Sequence, residues 1–266
     1  MSNYTYTLIC LLLAVGISCS KPFSSYVSPN PETSHIYTDI DEALKFGKKV
    51  QYLNLRNKEI TVLDSRIQEL KQLKFLNLMK NKLQVFAPEI LTLKHLEELN
   101  IRDNKIGALP TNIEAINMLK QLDMAKNKID TFPGTFGVLT QLQNLFASFN
   151  QIRVLPACFN RLANLRFAEL NDNKIRVINC SLNGMKNLLN LNLANNQIED
   201  IEGMLPETLH GLKVLNLESN RLKILPSRIG QLKQLNTLIL SFNAIETLPE
   251  ELCQLEQLEM LLLSGN

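Results

Sequence analysis

Several residue types that build catalytic or cross-linked proteins are scarce in this chain of 266 residues. Tryptophan is absent, and there are only three histidines and five cysteines. No Cys-x-x-Cys pair and no cluster of Cys and His has the spacing of a metal site. The motifs G-x-S-x-G, H-E-x-x-H and the P-loop are also missing. The sequence therefore predicts a protein that is not an enzyme and that holds no metal and no cofactor.

An excess of charge of one sign is missing as well. Lys and Arg together number 28 and Asp and Glu 26, which leaves a net charge of +2. A nucleic-acid-binding domain usually carries a larger basic excess, so nucleic acid is not an expected partner. Hydrophobic residues make up 45% of the chain, a share that excludes global disorder.

The first 19 residues differ from the rest of the chain. Residues 8–17 (LICLLLAVGI) are apolar and uncharged. This stretch is shorter than the roughly 20 residues of a membrane-spanning helix, and its length is typical of the core of a secretory signal peptide. Residues 16–19 (GISC) resemble a bacterial lipoprotein box, which implies that Cys19 is lipidated and becomes the mature N-terminus.

Two features depart from that lipoprotein pattern. Gly16 stands where the motif usually has Leu, and residues 1–7 contain no Lys or Arg. Cleavage near residues 18–20 followed by plain secretion is the first alternative, and an uncleaved segment is the second. Residues 20–37, rich in Ser and Pro, are interpreted as a flexible tether behind a signal peptide of residues 1–19.

An asparagine recurs along the chain at an interval of 23 residues, with one interval of 24. An earlier unit ends at Lys58, so the pattern predicts ten units over residues 50–266, the last of them incomplete. The recurring residues are Asn81, Asn104, Asn127, Asn150, Asn173, Asn196, Asn220, Asn243 and Asn266.

Each unit repeats the pattern L-x-x-L-x-L-x-x-N-x-L, as in residues 73–83 (LKFLNLMKNKL), and five units add L-P-x-x-I or a close variant, as in residues 109–113 (LPTNI). This resembles the 23-residue leucine-rich repeat. The resemblance implies an α/β solenoid, a curved stack with a short-stranded parallel sheet on its concave face. It also implies that the recurring Asn residues form a ladder of hydrogen bonds to the backbone of adjacent turns. The wider layout resembles leucine-rich-repeat lipoproteins of bacterial envelopes.

The L-x-L segment alternates with a period of two, which predicts a strand whose Leu side chains point inward. The Pro that follows fixes φ and removes an N–H, so the return side of each unit need not form a sheet. Asn179 and Glu202 replace this Pro in two units, and Pro88 is shifted by one place. The 24-residue unit is expected to bulge within residues 200–211.

Both ends of the stack need a cover, because a solenoid end exposes its core. At the N-terminus, residues 38–49 are predicted to form a capping helix that starts with the capping box Thr38-x-x-Asp41. The last unit stops at Asn266, and nothing in the sequence covers Leu258, Leu261 and Leu263. We expect a fragment here, and the alternatives are a missing native C-terminal part or a partner that covers this edge.

The concave face is the expected binding surface, because solenoids offer it as an extended platform. Its side chains come six, four and two places before each recurring Asn. Exposed aromatic and apolar residues there suit a protein or glycan ligand, whereas single exposed apolar residues are also normal on protein surfaces. The candidate ligand-binding residues are Tyr52, Phe75, Met79, Arg102, Phe146, Phe167, Glu169 and Ile239.

A basic row and two cysteines provide weaker signals. The residue after the recurring Asn is basic in five units (Lys82, Lys105, Lys128, Lys174 and Arg221), which indicates either a site for an acidic polymer or lipid head groups or a solvated flank. Cys158 and Cys180 fall on adjacent turns on the side away from the sheet. They are expected either to form a disulfide or to remain free thiols.

These features predict a non-enzymatic recognition protein that is exported. We expect it to be attached to the outer membrane of a bacterial cell envelope by a lipid anchor rather than by a spanning helix. The alternative is a secreted protein. A passive scaffold or adhesin is one alternative. The recognition part of a longer effector, with a further domain beyond Asn266, is the other.

Overall fold

The computed structural model of the protein describes residues 35–206 and 211–266. The predicted signal peptide, its Cys19 and most of the predicted tether lie outside these residues. Residues 37–266 form one unit of the chain, and the following description is of that unit.

Ten parallel strands of three residues each form the main sheet, and their spatial order follows the chain. The inward-pointing central residues are in register from turn to turn, as in Leu53, Leu76 and Leu99. The expected curved solenoid with a parallel sheet is confirmed. The strands are β1 (Tyr52–Asn54), β2 (Phe75–Asn77), β3 (Glu98–Asn100), β4 (Gln121–Asp123), β5 (Asn144–Phe146), β7 (Phe167–Glu169), β9 (Asn190–Asn192), β10 (Val214–Asn216), β11 (Thr237–Ile239) and β12 (Met260–Leu262).

The core lies between this sheet and the opposite, convex side of each turn. The central strand residues Leu53, Leu76 and Leu122 are fully buried, because each turn is covered by the turns before and after it. Three aromatic rings reinforce the middle of the convex side: Phe132 packs 4.7 Å from Phe136 and 4.8 Å from Phe159 between ring centroids.

The convex side consists of single turns of 3-10 helix. Pro133, Pro156 and Pro226 are the residues just before three of these turns, with φ of −65°, −79° and −65°, the value that the pyrrolidine ring imposes. The 3-10 segments are Gly47–Lys49, Ser65–Glu69, Pro88–Thr92, Ile113–Ile116, Gly134–Val138, Ala157–Arg161, Leu182–Gly184, Ser227–Gln231 and Glu250–Gln254.

One pair of turns does form a sheet on the return side, where the sequence did not require one. Strands β6 (Val154–Leu155) and β8 (Val177–Ile178) form a separate two-stranded parallel sheet. The pair is extended by the backbone N–H of Asn179, which donates to the Leu155 carbonyl at 2.8 Å. A proline at position 179 would have no N–H to donate, so the replacement of Pro by Asn permits this bond.

The 24-residue unit contains a tight turn in its described part. The N–H groups of Met204 and Leu205 both donate to the Ile201 carbonyl, at 3.0 and 3.2 Å. All three side chains are buried, while Glu202 and Gly203 are exposed. The predicted bulge thus begins with an outward turn at residues 202–203, and residues 207–210 lie outside the described part of the chain.

The N-terminal end of the stack is covered by helix α1 (Ile40–Phe46). Its N-cap is Asp39, whose Oδ1 accepts from the Glu42 N–H at 3.0 Å. The predicted capping box at Thr38 and Asp41 is therefore wrong by one residue, because the Asp39 carboxylate is a stronger acceptor at a positively polarised helix terminus. Ala43 is fully buried against the first turn.

Tyr37, two residues before this N-cap, belongs to the sheet rather than to the predicted tether. Tyr37 forms a parallel bridge with Leu53. Its N–H donates to the Tyr52 carbonyl at 3.1 Å, and its carbonyl accepts from the Asn54 N–H at 2.7 Å. Tyr37 thereby satisfies backbone groups at the outer edge of β1, where a bare edge would be open to pairing with other chains.

At the C-terminal end of the stack, Leu258, Leu261 and Leu263 are half-buried and pack against the core.

Among the described residues, no helix combines the length and the apolar character needed to cross a membrane.

Candidate functional site

The recurring asparagines form a continuous ladder beside the concave sheet. Asn104 shows the pattern: its Nδ2 donates to the carbonyls of Leu78 and Ile101, each at 3.0 Å, and its Oδ1 accepts from the Leu83 N–H at 3.0 Å. All nine positions from Asn81 to Asn266 make the equivalent three contacts. The amide thus satisfies buried backbone groups of two successive turns.

The residue directly before each ladder position adopts a left-handed backbone. Its φ is close to +55° at eight of the nine positions and +76° at Gly265, and Asn57, which precedes Lys58 in the first unit, has a φ of 56°. Small or polar residues tolerate this conformation, whereas a bulky residue is uncommon there. Phe149 and Phe242 are the two aromatic members of this set, and their rings are 46% and 58% exposed. This conformation was not among the features expected from the sequence, although the fixed place before each recurring Asn was a signal for it.

A second row of Asn and Asp lies on the concave face, four places before the ladder. In each case the side-chain Oδ1 accepts from the N–H two residues further on, at 2.8–3.1 Å. This turn organises the chain as it leaves the strand. These positions were expected only to face a ligand, whereas six of them stabilise the backbone: Asn54, Asn77, Asn100, Asp123, Asn192 and Asn216.

The row runs from Asn54 to Asn216 and ends there, because Ile239 and Leu262 take the same place on the last two strands. Within the row it is interrupted only by Phe146 and Glu169, which are paired in register on β5 and β7. Phe146 has no acceptor for such a turn. The Glu169 carboxylate instead accepts from Asn192 Nδ2 at 2.7 Å. Positions at which a chain departs from its own local rule are candidates for function. We call Phe146, Phe167 and Glu169 the central patch.

A connected set of polar side chains borders the central patch. Ser148 Oγ lies 2.6 Å from Asn171 Oδ1, and Asn171 Nδ2 donates to Asp172 Oδ2 at 2.6 Å. Asn192 Nδ2 also approaches Asn171 Oδ1 at 3.4 Å. Each side chain is oriented by its neighbour, so the patch is bordered by a preorganised surface rather than by freely rotating groups.

All three members of the central patch are half-buried. Phe167 also lies under Arg166, whose guanidinium carbon is 5.9 Å from the ring centroid. Tyr52, Met79 and Arg102 are half-buried as well, so these predicted residues all present part of their side chain on the concave face.

Two predicted candidates do not offer such a surface. Phe75 is only 5% exposed and Ile239 only 1%. The cross-strand spacing of about 4.8 Å places a side chain directly on each side of them: Tyr52 and Glu98 beside Phe75, and Asn216 and Leu262 beside Ile239. The expectation that these two residues are exposed is therefore wrong.

Arg102 interacts with the concave face rather than standing free. Its Nη1 lies 3.9 Å from Oδ2 of Asp123, a carboxylate that is almost fully buried. Asp123 therefore has a cationic neighbour, which a buried carboxylate needs to remain charged.

The carboxyl groups of the concave face differ in their surroundings. Burial raises the pKa of Glu169 to about 7, and the hydrogen bond from Asn192 opposes this shift. Burial, with the nearby charge of Glu97, raises the pKa of Glu98 to about 7. Burial also raises the pKa of Asp172 and that of Glu218. The concave face therefore holds carboxyl groups whose charged form is poorly solvated.

Comparison with known families and structures agrees with this geometry. The profile of the family described as Leucine rich repeat matches residues 71–129, 94–152 and 210–266. The chain belongs to the leucine-rich-repeat family. No curated protein matches it in sequence.

Solved leucine-rich-repeat structures resemble the chain over most of its length. One is the ectodomain of the plant membrane receptor kinase GASSHO1/SCHENGEN3 from Arabidopsis thaliana, in complex with CASPARIAN STRIP INTEGRITY FACTOR 2, with a TM-score of 0.68 and 26% identity over 80% of this chain and 26% of the receptor chain. Another is the plant peptide hormone receptor RGFR1 in complex with RGF2, with a TM-score of 0.55 and 25% identity over 82% of this chain and 44% of that chain.

An internalin (inlF) from Listeria monocytogenes shares the fold, with a TM-score of 0.56 and 21% identity over 82% of this chain and 75% of that chain. The chain thus spans about a quarter of the first receptor chain and less than half of the second.

The basic row of the leucine-rich repeats follows the ladder on the flank of the sheet, and Lys82, Lys105 and Lys128 are exposed on three successive turns. Lys82 forms an ion pair with Glu59, and Arg221 lies 3.9 Å from Glu199. The row is therefore partly neutralised, as expected for a solvated flank.

The cysteines on the convex side of the repeats are free thiols: Cys158 is half-buried, Cys180 buried and Cys253 exposed. The alternative of a disulfide between Cys158 and Cys180 is therefore wrong. Cys158 Sγ instead lies 3.8 Å from the Pro133 carbonyl. Within residues 35–206 and 211–266, no group of three or more His, Cys, Asp and Glu side chains is placed to hold a metal ion.

Proposed function

We propose that this chain is a recognition protein whose concave sheet binds a protein or peptide ligand, with the central patch as its main contact. The observation that carries the proposal is the interruption of the backbone-stabilising Asn/Asp row at Phe146 and Glu169. These two positions lack a hydrogen-bonded turn that six other units have, and they are the two such positions that lie between capped units, since Ile239 and Leu262 follow the last of them. Half-buried aromatic rings in the centre of a rigid surface are typical of residues that dominate binding energy.

The leucine-rich repeat is typically a scaffold for recognition rather than catalysis, and the family match supports a non-enzymatic function. The receptors at 26% and 25% identity were solved in complexes, one of them a plant peptide hormone receptor. These likenesses favour a protein or peptide over a glycan as the ligand of this chain.

Site-specific photo-crosslinking tests the proposal on the native host's own partners. A photoreactive phenylalanine analogue is placed at Phe146 on the concave face or, as a matched control on the convex side of the same unit, at exposed Val138. We expect protein adducts from position 146 and few from position 138. Adducts from position 138 alone, or adducts of equal yield from both, would contradict the proposal, and glycan adducts from position 146 would replace the protein ligand by a glycan.

The double variant Phe146→Ser with Phe167→Ser provides the complementary test. Loss of two aromatic contacts should weaken binding of the crosslinked partner by at least about tenfold. The fold should remain, because neither ring is part of the fully buried core. Val138→Ser is the control for loss of an exposed apolar side chain, and unchanged binding by the double variant would exclude the central patch.

We further propose that the repeats are exported and held at a bacterial outer membrane by a lipid on Cys19, after removal of residues 1–18 as a signal peptide. The support is the apolar stretch of residues 8–17 followed by the lipoprotein-like sequence at residues 16–19. The intact mass of the protein from its native host tests this. A chain that starts at Cys19 and carries added lipid mass is expected, whereas a lipid-free chain cleaved near residues 18–20 would indicate secretion.

A further inference from the structure

The carboxylates around the central patch lack the cationic neighbours that balance charge elsewhere in the molecule. Among the described residues, the ion pairs join other groups, such as Arg102 with Asp123 and Lys120 with Glu97. Glu169 and Asp172 instead interact with the uncharged amides of Asn192 and Asn171. The central patch thus combines two aromatic rings with the Glu169 carboxylate, and Asp172 lies at its border. In neither carboxylate is the negative charge paired with a cation among the ion pairs of the described residues.

A lysine or arginine side chain matches both properties at once. Its methylene groups pack on apolar surface while its charged head remains at a polar site, and a charged donor bonded to a carboxylate is roughly twice as strong as a neutral hydrogen bond. The register places Phe146 directly beside Glu169, and Phe167 lies two residues before Glu169 on the same strand and the same face. The apolar and acidic parts are therefore adjacent.

We infer that the central patch is a subsite for a basic side chain of an extended peptide, with Phe146 and Phe167 against its methylene groups and Glu169 as the partner of its charge. The subsite rests on the proposed function of the concave face. It adds the chemical class of the ligand: a peptide segment with Arg or Lys beside apolar residues.

The charge of Glu169 makes this subsite sensitive to pH. The elements packed against Glu169 present uncharged side chains to it: Asn144, Phe146 and Ser148 from the β5 side, and Asn190, Asn192 and Ala194 from the β9 side. The charged groups nearest along its own segment are Arg166, over the Phe167 ring, and Asp172.

Burial raises the pKa of Glu169 to about 7, so the carboxyl is largely protonated at pH 5.5 and charged at pH 8.5. A bound cation favours the charged form, and the subsite should therefore bind a basic side chain more strongly above pH 7 than below it.

Peptide libraries with one fixed residue test the subsite. Each library consists of 11-residue peptides with random flanks and a central Arg, citrulline or Glu; citrulline has nearly the shape of Arg without its charge. The libraries are passed over the immobilised 266-residue chain at pH 8.5. Each retained sequence is then synthesised twice, once with Arg and once with citrulline at the central position, and the affinity of both versions is measured. We expect the Arg version to bind about tenfold more tightly, with the preference reduced at pH 5.5.

Glu169→Gln keeps the shape and the acceptor for Asn192 and removes the charge. This variant should lose the preference for Arg over citrulline and its dependence on pH. Exposed Glu246, outside the patch, provides the control variant Glu246→Gln, which should keep both. Thermal unfolding of both variants verifies that the fold is intact.

Three results would overturn the subsite: no retention of any library, equal affinity for Arg and citrulline versions, or an Arg preference that persists in Glu169→Gln. The proposed function fails separately, through crosslinking. Equal affinity for both versions, weakened by Phe146→Ser, would exclude the cation while recognition by the concave face stands. Crosslinks from position 138 alone would remove both proposals.

Discussion

Phe146 and Glu169 are paired in register on neighbouring parallel strands, at the two places where the concave Asn/Asp row is interrupted between Asn54 and Asn216. Neither residue serves the repeat: Phe146 caps no backbone group, and burial raises the pKa of Glu169 to about 7. A charged, half-buried carboxylate without a cation costs stability. Such a cost is typical of a residue kept for function, which supports the proposed role of the central patch.

The first prediction concerns stability and pH. Because the pKa of Glu169 in the folded chain, about 7, is above its ordinary value of 4.5, its favourable contribution is complete below pH 4.5 and is lost as the pH rises through 7. Glu169→Gln should therefore unfold at nearly the same denaturant concentration as the parent at pH 4.5 and be more stable than the parent at pH 8.5.

Chemical denaturation at both pH values measures this difference. Glu98, whose pKa is also raised to about 7, provides a matched variant, Glu98→Gln, that should behave in the same direction. A Glu169→Gln chain that is less stable than the parent at pH 8.5 would show that the carboxylate stabilises the fold.

The second prediction concerns the asparagine ladder. Asn150→Ala removes Nδ2 donors to the Met124 and Ala147 carbonyls, both at 3.0 Å, and the acceptor of the Ile129 N–H. Loss of these buried partners should lower the free energy of unfolding by about 1–3 kcal/mol. Asn164→Ala removes an exposed hydrogen bond to the Thr140 carbonyl and should lower the free energy of unfolding by less. Equal losses of stability in the two variants would mean that the ladder bonds contribute no more than a surface hydrogen bond.

The third prediction concerns the close packing of the convex side. A Cβ on Gly184 would overlap the backbone carbonyl of Asn160 on the preceding turn, whereas a Cβ on Gly107 meets open space. Gly184→Ala should destabilise the chain, since a backbone atom has no room to move aside. Gly107→Ala should leave the melting temperature nearly unchanged. If the Gly184→Ala chain has the same melting temperature as the parent, the turns that contain Asn160 and Gly184 can move apart at little cost.

The fourth prediction concerns thiol reactivity. Burial raises the pKa of Cys180 to about 12, and the thiolate is the reactive form. Iodoacetamide at pH 8 should modify exposed Cys253 first and leave Cys180 unmodified until the chain unfolds, as peptide mass spectrometry after timed quenching would show. Early modification of Cys180 in the native chain would reveal local opening of the convex side.

The sequence by itself determined the repeat, its ten units, the parallel sheet and the position of every ladder asparagine. These features are local and recur every turn, so a single pattern of Leu and Asn specifies them many times. It also determined which residues line the concave face, because side chains alternate strictly along a strand.

The tertiary structure alone decided how much of each concave side chain remains accessible and which groups it meets. Phe75 and Phe167 take the same place in their units, six residues before the ladder Asn, yet Phe75 is closed in by Tyr52 and Glu98 whereas Phe167 stays half-buried. It also decided that most concave Asn residues cap the backbone, that Asn179 permits a small convex sheet and that the thiols of Cys158 and Cys180 stay apart. Apart from the capping bonds, which join residues two positions apart, these outcomes depend on contacts between residues more than twenty positions apart, whose distances are set by the stacking of whole turns.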